Sequence, residues 1–157
     1  MFLKNRLNGL RNRLFHLYFR LARPITLGVR GAVIDREGRI FLVRHSYVPG
    51  WHMPGGGVEA GETALEALGR ELLEEGHIQI HRAPALHGIF FNHRASRRDH
   101  VLLYIVRDFT VTGPRLADAE ILEARFFALD NLPETTTRGT RERLDEIFQS
   151  KPPAAHW

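Results

Sequence analysis

The chain has 157 residues, 43% of them apolar and 25% charged, which is the balance of one ordinary globular domain and excludes a disordered or fibrous chain. It has no cysteine, so disulfides and thiolate nucleophiles are ruled out, and a cytoplasmic protein is expected. The net charge is only +4, yet no acid precedes Asp35 while Lys4, Arg6, Arg11, Arg13, Arg20 and Arg23 crowd the first segment.

In that segment Leu3, Leu7, Leu10, Leu14, Leu17 and Leu21 recur at alternating spacings of four and three, and Pro24 closes the run. The pattern predicts a basic amphipathic helix over 1–23, packed on the domain or on a second copy in a homodimer. Two other readings stay open. Such a helix can lie on an anionic membrane surface, and its arginines fit a mitochondrial presequence, although the first serine is Ser46. No stretch is long and apolar enough to span a bilayer.

Residues 25–34 and 39–45 are predicted to be strands joined by Asp35-Arg36-Glu37-Gly38 into a hairpin. A loop over 46–53 then carries Tyr47 and Trp51 toward Pro54-Gly55-Gly56-Gly57. Trp51 is a candidate for stacking on a nucleobase. Residues 78–92 and 101–109 read as two longer strands, and the loop between them holds Arg94, Arg97 and Arg98. That loop is either a clamp for substrate phosphates or a solvated tip. A last strand is expected at 123–129, a short amphipathic helix at 140–149, and a loose tail at 151–157 with two prolines. The domain proper is therefore expected over 24–150.

Between these strands lies the stretch with the most chemistry. Read at helical spacing, Glu71 and Glu75 fall one turn apart with Glu74 beside them, and Leu65, Leu68 and Leu72 form an adjoining apolar stripe. Like charges four residues apart destabilise a helix unless something neutralises them, and a divalent cation is the obvious candidate. All the ligands on offer are oxygen, which favours Mg²⁺ or Mn²⁺ over Zn²⁺, and Mg²⁺ usually fills its shell with water and substrate phosphate. Glu66 reads as a solvated surface acid.

Gly56, then five residues, Glu62, then seven, then Arg70-Glu71-Leu72-Leu73-Glu74-Glu75 and Ile78 resembles the signature box of the Nudix hydrolases. The resemblance implies an α/β fold, an α/β/α sandwich around a mixed β-sheet, here with the extra N-terminal helix. It also implies hydrolysis of the diphosphate linkage in a nucleoside diphosphate derivative, a small-molecule nucleotide rather than a specific nucleic acid. Glu71, Glu74, Glu75 and a carbonyl at Gly56 or a neighbour would hold Mg²⁺ or Mn²⁺. Glu71, Glu74, Glu120 or Glu123 would take the proton of the attacking water, Arg70 would orient the glutamates, and Glu62 would support the loop. The chain departs from the family pattern at His77, where the family has glycine, and Gly76 is expected to cap the helix one residue sooner. The short motifs that separate substrate subclasses are missing, and Arg94 stands where many ADP-ribose hydrolases have proline. The rival expectations are a Nudix-fold sensor that binds a nucleotide without cleaving it, and a membrane-surface or partner-binding protein working through its first helix.

Overall fold

Strands with apolar side chains on both faces need cover on both sides. In β1 (Thr26–Val33) and β2 (Ile40–His45), Val29, Val33, Phe41 and Val43 point one way and Ala32, Ile40 and Leu42 the other. The first set packs with Ala67, Leu68 and Leu72 of helix α1 (Ala64–Gly76), and the second with Leu144 of helix α2 (Arg138–Phe148). The result is an α/β/α sandwich, seen here in a computed structural model that describes residues 24–157. The helix expected over 1–23 lies outside the described residues. Among the described residues no helix is long and apolar enough to cross a membrane.

The remaining strands are β3 (Ile78–Ile80), β4 (Ala85–Phe91), β5 (Asp99–Val106), β6 (Phe109–Val111) and β7 (Ile121–Phe127). β1 runs parallel to β5, and β4 lies antiparallel on the other side of β5. β2 pairs antiparallel with β7, and β3 with β6. The sheet arrangement is therefore mixed, as the family resemblance implies.

Four expectations need correction. The segments 25–34 and 39–45 are strands, but beyond the turn they share only the bridge Ile34–Ile40, because β5 and β7 take their edges. The expected strand over 78–92 is two strands, interrupted before β4 by Pro84, which has no N–H for a ladder. The expected strand over 101–109 likewise divides into β5 and β6 around Arg107 and Asp108. Finally, residues 151–157 are not loose: Phe91 N–H donates to the Ala155 carbonyl (2.9 Å) and Trp157 N–H to the Phe91 carbonyl (3.2 Å), a single parallel bridge between Phe91 and His156 at the edge of β4.

Candidate active site

The glutamate helix starts where its sequence tells it to. The Thr63 hydroxyl accepts from the Glu66 N–H (3.2 Å), and the Glu66 carboxylate accepts from the Thr63 N–H (2.8 Å). This capping box fixes the first turn and gives Glu66 a structural task in place of the expected solvated one. The Thr-x-x-Glu spacing was its available signal.

One turn on, Arg70 gathers the loop and the acids. Its guanidinium forms a two-pronged pair with Glu62 (2.9 and 3.2 Å), donates to Glu71 (2.7 Å) and to the Gly57 carbonyl (3.1 Å), and lies 3.6 Å from Glu74. Such a fork fixes direction as well as charge. Hydrogen bonds to Glu62 and Glu71 raise the Arg70 pKa further, so it stays a cation.

At the other end of the helix it is His77, not Gly76, that enters the left-handed region (φ 52°), and its N–H closes on the Leu72 and Leu73 carbonyls. Gly76 serves a different purpose. A Cβ there would come within 2.8 Å of the Phe41 ring, so the absent side chain lets the helix end press on β2. Left-handed backbone at a residue with a Cβ costs about 1–2 kcal/mol, and glycine returns part of that gain as unfolded-state entropy. We therefore expect His77→Gly to stabilise the protein by about 0.5–1 kcal/mol, read as a higher urea midpoint at unchanged slope. A lower midpoint would show that the imidazole contributes more than the backbone strain costs.

Of the helix acids only Glu75 is buried, at 6% exposure. It accepts from the Gly55 N–H (2.7 Å) and lies 3.4 Å from Nε2 of His45. Burial pushes its carboxyl up to about 7, with Glu71 and Glu120 adding to the rise, and the Gly55 N–H and Arg30 opposing it. Burial also pushes His45 down to about 4, helped by Arg30 and His52, so the imidazole is neutral at pH 7.

The facing rim comes from far along the chain. Ser46 N–H donates to the Glu120 carbonyl (2.9 Å) and the Ser46 hydroxyl to the Ala119 carbonyl (2.7 Å), which ties the start of β7 to the end of β2. Glu120 accepts a long hydrogen bond from the Tyr47 hydroxyl (3.4 Å). Asp118 accepts from the N–H groups of Glu120 (2.8 Å) and Ile121 (2.7 Å) and pairs with Arg115, contacts that pull its carboxyl down to about 2. Glu71, Glu74, Glu75, Asp118 and Glu120 thus line one open cleft of about 440 Å³ with Arg115.

The glycine loop lies behind two of the cleft's acids, Glu71 and Glu75. Arg30 holds it by donating to the carbonyls of Met53 (2.9 Å) and Gly55 (2.7 Å). Gly56 lies so near Glu71 that a Cβ would stand 2.3 Å from its Oε1. The Gly56 carbonyl accepts from the Val29 N–H (2.8 Å), and a carbonyl oxygen keeps a second lone pair for a further partner.

These residues fit a hard divalent cation. The donors are carboxylate and carbonyl oxygens, the Gly56 backbone sits against a carboxylate with no side chain between them, and ionised Glu75 is buried where a cation would relieve its cost. Among the described residues no three acids are already drawn together around one point. Glu71 is turned to Arg70 and Glu75 to Gly55, so both carboxylates must rotate to share an ion.

Other candidates fall elsewhere. Trp51 is buried at 5% exposure, edge-on to Phe127 (4.7 Å) with Arg125 and Arg44 beside its ring, so it is a core residue with no face for a nucleobase. Glu123 pairs with Arg44 (3.3 Å) and Arg125 (3.1 Å) and does not line the cleft. Arg94, Arg97 and Arg98 are exposed at the tip between β4 and β5, outside the carboxylate cleft. The cations that do reach the site, Arg30 and Arg115, were missed. Arg30 carried a signal, a charge in the middle of an apolar strand.

An α/β/α sandwich whose glycine loop leads into a helix bearing Arg70 with Glu71, Glu74 and Glu75 defines a Nudix-fold protein. The profile of the NUDIX domain matches residues 24–147, and the chain belongs to that family. It is 32% identical over 105 residues to an ADP-ribose pyrophosphatase of Methanocaldococcus jannaschii, covering 65% of this chain and 62% of that protein. It is 46% identical over 65 residues to an RNA pyrophosphohydrolase of Cereibacter sphaeroides, covering 38% of this chain and 40% of the relative. The matched segment thus spans less than two thirds of either curated relative. Among solved structures, a MutT NUDIX hydrolase from Burkholderia pseudomallei superposes with a TM-score of 0.67 at 28% identity, over 78% of this chain and 97% of that one.

Proposed function

We propose that the protein is a divalent-metal-dependent pyrophosphohydrolase that cleaves the diphosphate link of a nucleoside di- or triphosphate or a nucleotide sugar. The observation that carries this reading is the convergence of Glu71, Glu74, Glu75 and Glu120, from two distant segments, on one cleft beside the glycine loop. The printed names of the relatives differ in substrate but share a pyrophosphate-cleaving activity.

In this reading Glu71, Glu74, Glu75 and the Gly56 carbonyl hold Mg²⁺ or Mn²⁺. When bound, the ion supplies positive charge beside the diphosphate and makes a water in the cleft more acidic. Arg70 gathers Glu71 and Glu74 on one side of the helix, from which Glu71 rotates to meet the ion, and Glu62 keeps Arg70 in place. Glu120, on the opposite rim, takes the proton as water attacks phosphorus. Arg115, which donates to the Glu74 carbonyl (3.0 Å), adds positive charge where the phosphates enter.

The test is phosphate and pyrophosphate release from a panel of nucleoside di- and triphosphates, nucleotide sugars and ADP-ribose, with Mg²⁺, Mn²⁺ or EDTA. Turnover of at least one class that stops in EDTA is expected. Nucleotide binding without turnover of any compound would leave a sensor instead.

A further inference from the structure

Residues 153–157 extend beyond the segment that matches the family, and two buried groups fix their register. Arg143 is 2% exposed and donates to the His156 carbonyl (2.7 Å). Its partner Glu146 (2.7 Å) is 7% exposed, lies 3.1 Å from Nε2 of His87, and accepts from the Ala154 N–H (3.0 Å). A buried ion pair that also holds the backbone of a terminal segment keeps that segment in one place. With the two hydrogen bonds to Phe91, the segment is bridged to the edge of β4 just before an aromatic side chain.

That side chain, Trp157, is half-buried. It meets Phe90 edge-on (centroids 5.6 Å, 81°) and lies so close over Gly139 that a Cβ there would stand 2.6 Å from the indole Nε1. Trp157 lines a pocket of about 280 Å³ together with Arg30, Gly56, Gly57, Asn92 and Asp99. Gly56 is the residue pressed against Glu71, so this pocket and the carboxylate cleft share the glycine loop. Asp99 accepts from Asn92 (2.7 Å) and from the Thr26 hydroxyl (2.8 Å), which holds its carboxylate in place in the pocket wall. An indole and a fixed acceptor beside a phosphate-handling loop suit a flat heteroaromatic ring with N–H donors on its edge.

We propose that the segment over 153–157 delivers Trp157 as the aromatic wall of a nucleoside pocket beside the glycine loop, making it a specificity-determining residue for the base. The kinetic part of this inference rests on the hydrolase reading, whereas the binding part does not.

Nucleoside 5′-monophosphates titrated into the full chain without divalent ion should quench its fluorescence. Trp157→Phe should lose that response, because the other tryptophan, Trp51, is buried in the core, and inorganic pyrophosphate, which has no ring, should quench neither protein. With nucleotide substrates, Trp157→Ala should raise KM about tenfold, the loss of one base–aromatic stack, with a smaller change in kcat. Trp157→Phe should recover most of that loss. Gly139→Ala displaces the indole without removing it and favours the helix, so a matching rise in KM there would not depend on how well Trp157→Ala folds. A quench that survives in Trp157→Phe, or equal KM in wild type, Trp157→Ala and Gly139→Ala, overturns the proposal. Trp157-dependent quenching with no turnover of any diphosphate supports the pocket and overturns the hydrolase reading alone.

Discussion

Glu75→Gln should lower metal-dependent turnover by about 10³-fold, or about 4 kcal/mol of transition-state stabilisation, and make the metal-free protein more stable at pH 8. The two effects have one cause. Glu75 is buried, and its carboxyl is raised from 4.5 to about 7. A raised pKa in the folded state means that the fold prefers the protonated form. The stabilisation is complete below about 4.5 and is lost as pH climbs through about 7. Over that window the contribution of Glu75 to the metal-free protein should fall by about 3 kcal/mol, the free-energy equivalent of the gap between the two pKa values. Glutamine is neutral at every pH, still accepts from the Gly55 N–H, and can donate to His45, so it escapes most of the loss. Denaturant midpoints of both proteins at pH 5 and pH 8 check this through their difference, because His45, held down at about 4, gains stability over the same window in either protein: Glu75→Gln should gain on the wild type between pH 5 and pH 8. The sign reverses for function, because a cation competes with the proton on Glu75. Turnover at limiting Mg²⁺ should therefore rise with pH through about 7. A difference between wild type and Glu75→Gln that does not change with pH would sink the account of Glu75 as a strained carboxylate.

The helical half of this site is legible in the sequence because helix geometry is local. Once residues 64–76 are helical, the spacing of Arg70, Glu71, Glu74 and Glu75 fixes their relative directions, and Thr63 with Glu66 marks the start. What the spacing does not carry is burial. Three acids of equal chemistry differ in exposure because the glycine loop and β2 bury Glu75, the loop half-covers Glu71, and Glu74 is left exposed. The opposite rim is legible only as candidates, since Glu120 reaches the cleft through the pairing of β2 with β7, about 75 residues apart in the chain. That pairing also separates Glu120 from Glu123, two acids that read alike in sequence: Glu123 faces Arg44 across the ladder. Trp51 and residues 151–157 show the same limit in opposite directions. A tryptophan near the glycine turn suggested a ligand contact and is core, while a proline-bearing tail suggested disorder and is held by Arg143 and Glu146. In both cases the deciding contacts come from distant strands and helices.

Gly55→Ala should be the most damaging single methyl in the loop, costing about 3–5 kcal/mol of stability and leaving little metal-dependent turnover in whatever still folds. Gly55 has φ 138°, a region that residues with a Cβ rarely adopt. The added Cβ would also lie 2.1 Å from the Val29 carbonyl oxygen and 2.9 Å from the Arg30 Cα. Both obstacles are backbone atoms of β1, which is held by its ladder with β5, so no side chain can swing aside. The loop must lift off β1 instead. Lifting it breaks the Val29 N–H bond to the Gly56 carbonyl and the Gly31 N–H bond to the Pro54 carbonyl (2.8 and 2.9 Å). It also removes the Gly55 N–H from Glu75 and the Gly55 carbonyl from Arg30. The acid that already bears the largest burial cost then loses the hydrogen bond that offsets it, while Gly56 moves away from Glu71. Gly57→Ala is the control, because nothing lies within 4 Å of a Cβ there. Thermal melts and turnover of the two variants decide the matter. A Gly55→Ala protein as stable and active as Gly57→Ala would show that the loop does not need its contact with β1.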